Sequence, residues 1–187
     1  MQNKTRKMIL IALFAALTAA GAFIKVPIGP VPITLQSFFT ALSAILIGPC
    51  LGSLSQLVYV AMGLAGIPVF TAGGGFMYIF NPGFGYLLGY ILGPIVIGKI
   101  CHRVESPGFI RIFLACMAGT ILIDIVGAPY MYIILKFVVH TDITFLKTVE
   151  LGFLVFMPGN IVKNIIAAYL GRRLVPITKE LTMREAE

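Results

Sequence analysis

Two ionisable side chains stand in the middle of long apolar runs: Asp124 lies midway between Arg111 and Lys136, and Lys163 about midway between Glu150 and Arg172. An unpaired charge at a bilayer centre costs at least a few kcal/mol, so each must meet a partner or a polar cavity, and each marks a functional position. Lys163 sits in the string MPGNIVKN, where Pro158 and Gly159 weaken the helix just before Asn160, Lys163 and Asn164. Asn160 and Lys163, three apart, share a helix face, and so do Asn160 and Asn164, four apart. An ammonium and a carboxamide on one face of an apolar bundle suit a small molecule bearing a carboxylate and hydrogen-bonding groups. The same residues admit a structural reading in which Lys163 pairs with Asp124 and the asparagines bond helix to helix.

Other chemistry has little to work with. His102 and His140 are isolated at loop positions, with no carboxylate or Cys at metal spacing. Cys50, Cys101 and Cys116 are an odd number without metal spacing and read as reduced, buried thiols. No glycine-rich loop ends in Gly-Lys-Ser/Thr, so the chain is not its own P-loop motor, and no acidic cluster is present to hold Mg²⁺. No catalytic residue, metal or cofactor is expected. A polytopic membrane enzyme using Asp124 and Lys163 as an acid–base pair is the competing class, and it lacks any further catalytic constellation.

The elements that must position these residues follow from composition. Of 187 residues, 14 are Lys or Arg and 7 Asp or Glu, so 11% are charged, against about 25% in a soluble domain. With 59% hydrophobic residues and a mean hydropathy of +1.00, a soluble enzyme, a disordered chain and a disulfide scaffold are excluded. The chain reads as an integral membrane protein. The net charge of +7 then concerns membrane sidedness, with no nucleic acid implied.

Apolar spans fall at residues 8–24, 34–49, 52–70, 84–100, 111–135 and 149–170, which predicts one all-α domain over residues 1–187, a compact bundle of six transmembrane helices. The first run follows Lys4, Arg6 and Lys7 and ends in small residues, as a signal peptide does. It is longer than a signal core and is followed by a membrane bundle, so it is expected to be retained. If the N-terminus is inside, the cytoplasmic segments hold Lys4, Arg6, Lys7, Lys99, Arg103, Arg111, Arg172, Arg173, Lys179 and Arg184. The outer segments hold only Lys25, Lys136 and Lys147. That asymmetry puts both termini in the cytoplasm. The outer loops 25–33 and 67–85 are too apolar to float in water and should fold back as a lid, with Gly73, Gly74 and Gly75 letting backbone approach a ligand closely. On the first span Ala12, Ala16 and Ala20 form a small-residue stripe, suited to close approach of another helix, internal or from a partner.

The string IKVPIGPVPITLQSFFTALSAILIGP (24–49) resembles the BioY family of biotin transport proteins, and GLAGIPVF (63–70), GYLLGY (85–90) and MPGNIVKN (157–164) follow in that family's order and spacing. The resemblance covers about residues 8–174. It implies a prokaryotic plasma-membrane S component of an energy-coupling factor (ECF) transporter, capturing biotin from outside. A transmembrane T component and two cytoplasmic ATPases would be its partners, with the T component docking on the Ala12, Ala16 and Ala20 stripe. The family's sixth-helix motif, Pro-Gly-Asp with Lys three residues on, maps the ligand pair onto Asn160 and Lys163. Asn160 stands where the family has Asp, and its carbonyl accepts an N–H without charge assistance. Phe70, Tyr86 and Tyr90 are the expected aromatic walls, with Gly73, Gly74 and Asp124 completing the ligand-binding set. The outer-loop glycine pattern and NPGFGY depart from the family form, so an S component for another small vitamin is the alternative within this architecture.

Overall fold

The computed structural model describes residues 2–183, with side chains described over residues 4–176. Arg184 therefore lies outside the described residues, as does the side chain of Lys179. Helix α1 is Gln2–Phe23. A small antiparallel hairpin follows, β1 (Lys25–Val26) paired with β2 (Ile33–Thr34), with Lys25 opposite Thr34. The further helices are α2 (Gln36–Leu64), α3 (Phe84–Cys101), α4 (Phe109–Ile133), a short α5 (Phe145–Val149) and α6 (Met157–Met183). Wider π-helical turns extend α4 over Ile134–Val138 and follow α5 over Glu150–Leu154. Five helical stretches are long and apolar enough to cross a membrane: Lys4–Phe23, Gln36–Leu64, Phe84–Cys101, Phe109–Val138 and Phe145–Pro176.

The 29 residues of α2 are two helical arms rather than one rod. Gly48 takes φ +87° and ψ 175°, a conformation closed to residues with a Cβ, and Pro49 cannot donate the next helical hydrogen bond. Beyond this break the chain doubles back. A Cβ on Gly52 would lie 3.1 Å from the Cα of Ala44, so the arms touch backbone to backbone. Thr40 donates to Gln56 Oε1 at 3.1 Å, although 16 residues would span about 24 Å along a straight helix. Gln36 likewise donates to the Tyr59 hydroxyl at 2.6 Å, and Gln56 reaches Thr18 on α1 at 3.1 Å.

Helix α3 lies between α2 and α4, α6 packs on α4 and α2, and α1 leans on α2. Three glycines spaced by four make the α3–α4 seam: a Cβ on Gly85 would strike Tyr130, one on Gly89 would sit 2.9 Å from the Cα of Ile123, and one on Gly93 2.8 Å from the Ile123 side chain. Small residues at this spacing bring helices to van der Waals contact where lipid gives no hydrophobic drive to associate. The core splits into an aromatic cluster at the hairpin end (Tyr59, Phe70, Tyr78, Tyr86, Phe156) and an aliphatic one at the opposite end (Phe14, Ile45, Ile97, Ile112, Cys116).

Two boundaries differ from the sequence reading. The apolar run 52–70 leaves the helix at Leu64, because Gly66 takes φ +106° and the chain turns back so that Phe70 covers Gly63. The expected loop 137–149 contains α5, which starts where Thr144 accepts from the Lys147 amide at 3.3 Å. The same turn closes the Lys147–Glu150 ion pair at 2.9 Å.

Candidate functional site

A cavity with about 540 Å³ of empty space, counting its open mouth, lies between the hairpin and helices α3, α4 and α6. Its polar atoms come from four places. Thr34, Gln36 and Ser37 enter from the end of the hairpin and the start of α2; Tyr86 and Tyr90 from α3; Thr120 and Asp124 from α4; and Asn160 and Lys163 from α6. Apolar walls are Val31, Pro32, Ile33, Leu87, Ile123 and Phe156, with Thr71 and Tyr78 closing the loop side.

Antiparallel contact of α4 and α6 fixes two polar rungs, one helical turn apart on each helix. In the first, Asn160 Nδ2 donates to Asp124 Oδ2 at 3.2 Å; in the second, Asn164 Nδ2 donates to Thr120 Oγ1 at 3.1 Å. Asp124, Asn160 and Asn164 are all buried. Lys163 does not follow the pairing with Asp124 that its sequence position allows. Its ammonium donates to the backbone oxygen of Thr34 at 3.1 Å and to Ser37 Oγ at 2.6 Å. Within 4.0 Å the ion pair found among the described residues is Lys147–Glu150. The cavity thus contains a cation and a carboxyl group, each tied to neutral partners.

The tyrosines are held from behind. Tyr86 donates to the Gly152 carbonyl at 2.7 Å, and its ring lies against Gly127, where a Cβ would strike it. Thr34 donates to Gln36 Oε1 at 2.9 Å and Gln36 to Tyr59, whose hydroxyl donates to Val69 O at 3.0 Å, so a buried chain of bonds runs from the cavity edge to the loop 65–83. That loop is clasped to the hairpin by Lys25, which donates to Thr71 O at 2.6 Å, and Thr71 meets Tyr78 at 2.8 Å. Burial pushes the Tyr78 hydroxyl above its ordinary pKa, opposed by the Thr71 bond, so the phenol is a neutral hydrogen-bonding wall at the mouth.

Of the residues singled out by sequence, Asn160, Lys163, Asp124, Tyr86 and Tyr90 meet in this one cavity. Phe70 does not line it. Its ring packs on Tyr59 and Tyr78 at centroid distances of 5.5 and 4.5 Å and buttresses the wall from outside. Gly73 and Gly74 also stand apart from the lining. Gly73 takes φ +108° in the turn that pairs with Phe70, and Gly74 is pressed against the backbone of Ile67 and of Gly63 at the end of α2, so the close backbone approach at Gly74 is to neighbouring chain. Ala12, Ala16 and Ala20 are exposed on α1, while Ala15 beside them is buried. Sequence reasoning missed Thr34, Gln36, Ser37, Thr71 and Thr120 as cavity residues. The signal available was a set of polar residues in ITLQS at the mouth of an apolar span, which must find partners inside.

Comparison with known proteins bears on this geometry. The sequence profile of the BioY family matches residues 1–180. The probable biotin transporter BioY of Lysinibacillus sphaericus is 42% identical over 176 residues, which is 94% of this chain and 90% of that protein. The biotin transporter BioY of Thermotoga maritima is 38% identical over 176 residues, 94% of this chain and 99% of that protein. The crystal structure of an S-component for biotin from an ECF-type ABC transporter superposes with a TM-score of 0.81 at 29% identity and covers 92% of each chain.

Proposed function

The chain belongs to the BioY family, and from that premise we propose that it captures biotin in the cavity between the hairpin and helices α3, α4 and α6, as the substrate-binding S component of an ECF-type transporter. It is a multi-pass membrane protein and a transport subunit rather than an enzyme. The observation that carries the ligand reading is the convergence of Lys163, Asp124 and Asn160 in one tyrosine-walled pocket. Biotin is an apolar bicycle with a ureido group at one end and a carboxylate tail at the other. Tyr86, Tyr90 and Phe156 offer the apolar body its walls, Asp124 and Asn160 offer acceptors for N–H groups, and Lys163 offers a donor to an acceptor end. Phe70, Gly73 and Gly74 serve the site by shaping the loop that closes it. No cofactor takes part in this reading.

The same proposal includes six crossings with both termini in the cytoplasm. It is supported by the reversal of α2 at Gly48 and by the segregation of Lys and Arg to alternate loops. The hairpin end, and with it the cavity mouth, then faces outward. Energy comes from partners, a T component and cytoplasmic ATPases, and the exposed Ala12, Ala16 and Ala20 face is the docking surface. Equilibrium binding of a panel of water-soluble vitamins to purified protein tests the ligand. Biotin should bind most tightly, and tighter binding of another vitamin would replace it. Co-purification with T and ATPase subunits tests the assembly.

A further inference from the structure

Asp124 is the one acid among the described residues that line the cavity, and Asn160 turns its N–H end toward it. The bond runs from Asn160 Nδ2 to Asp124 Oδ2 at 3.2 Å, and no other described residue donates to either carboxyl oxygen. Both side chains are almost wholly buried, at 3% and 4% exposure. Neither Asp124 Oδ1 nor Asn160 Oδ1 accepts a hydrogen bond from a described side chain, so two acceptor oxygens remain at the cavity wall, one of them on the carboxyl group. The second rung, Asn164 to Thr120, holds the register of α4 against α6 independently of the first. The place of Asn160 is thus set by helix packing, and its amide hydrogen fixes the carboxyl orientation.

We propose that the acceptor for the ligand's N–H groups is carried on α4 by Asp124, with Asn160 on α6 as its positioning residue, and that the pair works as a unit holding one carboxyl group. This rests on the biotin reading above. A buried carboxyl group needs a donor on each oxygen, and a ureido edge supplies the donor that Asn160 leaves unsupplied. Two carboxyl groups across 3.2 Å would oppose each other in this low-dielectric setting, and two amides would remove the charge-assisted acceptor. The charge can therefore be moved across the α4–α6 seam but neither doubled nor deleted. Read from the sequence alone, a carboxylate at position 160 should bind at least as tightly as the amide; with Asp124 facing it, Asn160→Asp should weaken binding.

The experiment is equilibrium binding to purified, detergent-solubilised full-length protein of two ligands: biotin, and its cyclic carbonate analogue, in which both ureido N–H groups are replaced by ring oxygens. Wild type should prefer biotin at least about tenfold, the scale of one charge-assisted hydrogen bond. Asp124→Asn and Asn160→Asp should each lose at least about tenfold for biotin, and Asp124→Asn should also lose most of the discrimination between the two ligands. The double exchange Asp124→Asn/Asn160→Asp should recover biotin binding to within about threefold of wild type, which a merely structural role for either residue does not predict. Wild-type affinity in Asp124→Asn, or a double exchange no better than its weaker parent, overturns the assignment. The wild-type comparison of the two ligands needs no variant to fold, and equal affinity there overturns it as well. A wild type that binds no biotin overturns the biotin reading and this pair's role with it, whereas normal biotin binding indifferent to Asp124 overturns the pair alone.

Discussion

The imidazole Nε2 of His102 lies 3.0 Å from the carbonyl oxygen of Ile45, the acceptor that Pro49 leaves without its helical donor four residues on. Three separate features meet here: the Gly48 reversal of α2, the end of α3, and Gly98, whose missing Cβ leaves room for the Pro49 ring. Arg111 closes the same corner by donating to Ile100 O at 2.9 Å. Because the acceptor is a carbonyl, Nε2 carries the hydrogen of this bond. His102→Ala should lower stability by about 1–3 kcal/mol, the cost of stranding a part-buried carbonyl. Tyr90 is 12 residues up α3, about 18 Å away, so biotin affinity should stay within about twofold. Thermal unfolding in detergent and ligand titration read the two effects separately, and a variant with unchanged unfolding temperature would refute the corner's role.

Lys163 is anchored by Thr34 O and Ser37 Oγ, both from the cavity's hairpin side. If it donates to the ligand, Lys163→Ala should weaken biotin binding by about 1–3 kcal/mol, or more where charge is involved. Ser37→Ala should cost less, since it releases the ammonium without removing it. Titration calorimetry on the folded fraction decides. Lower folded yield with normal affinity in the survivors would make Lys163 a structural strut between α6 and the hairpin.

Sidedness is checked by cysteine labelling in a background with Cys50, Cys101 and Cys116 replaced. A cysteine at Ser106, in the loop after α3, should react only from the cytoplasm, and cysteines at Gly29 and Asp142 only from outside. The reverse pattern would put the cavity mouth on the cytoplasmic side.

What was legible in the sequence is what local chemistry decides. Gly48-Pro49 breaks a helix by its own backbone, and Asp124 and Lys163 announce a polar cavity because lipid forbids them elsewhere. What was not legible depends on tertiary partners. Thr34, 129 residues from Lys163 in sequence, supplies an oxygen that holds the ammonium in place of the alternative pairing with Asp124. Ile67, Val69 and Phe70 carry the apolar run past the turn at Gly66 and Pro68, and that Phe70 then folds back over Gly63 is decided by tertiary packing. Gly74 is pressed against the backbone of Ile67 and Gly63, a pairing that only the folded loop sets. The Gly85, Gly89, Gly93 stripe could have been found from spacing alone, as the alanine stripe of α1 was.

The α1 stripe gives the prediction that bears most on assembly. Ala12, Ala16 and Ala20 are exposed on the face turned away from α2, whereas Ala15 and Thr18 are buried against it. Small side chains there form a shallow groove in which a partner helix gains dispersion contacts and close backbone approach, and a large side chain fills that groove. Ala16→Leu or Ala16→Trp should therefore abolish co-purification with a T component and biotin uptake by cells. Biotin binding by the isolated protein should change by no more than about 0.5 kcal/mol, as for a surface substitution remote from the cavity. Loss of binding together with uptake would mean that the face packs internally after all. Retention of both would leave the stripe without a docking role and move the search for the partner surface to the exposed face of α6, where Val162, Ile166 and Tyr169 stand outward.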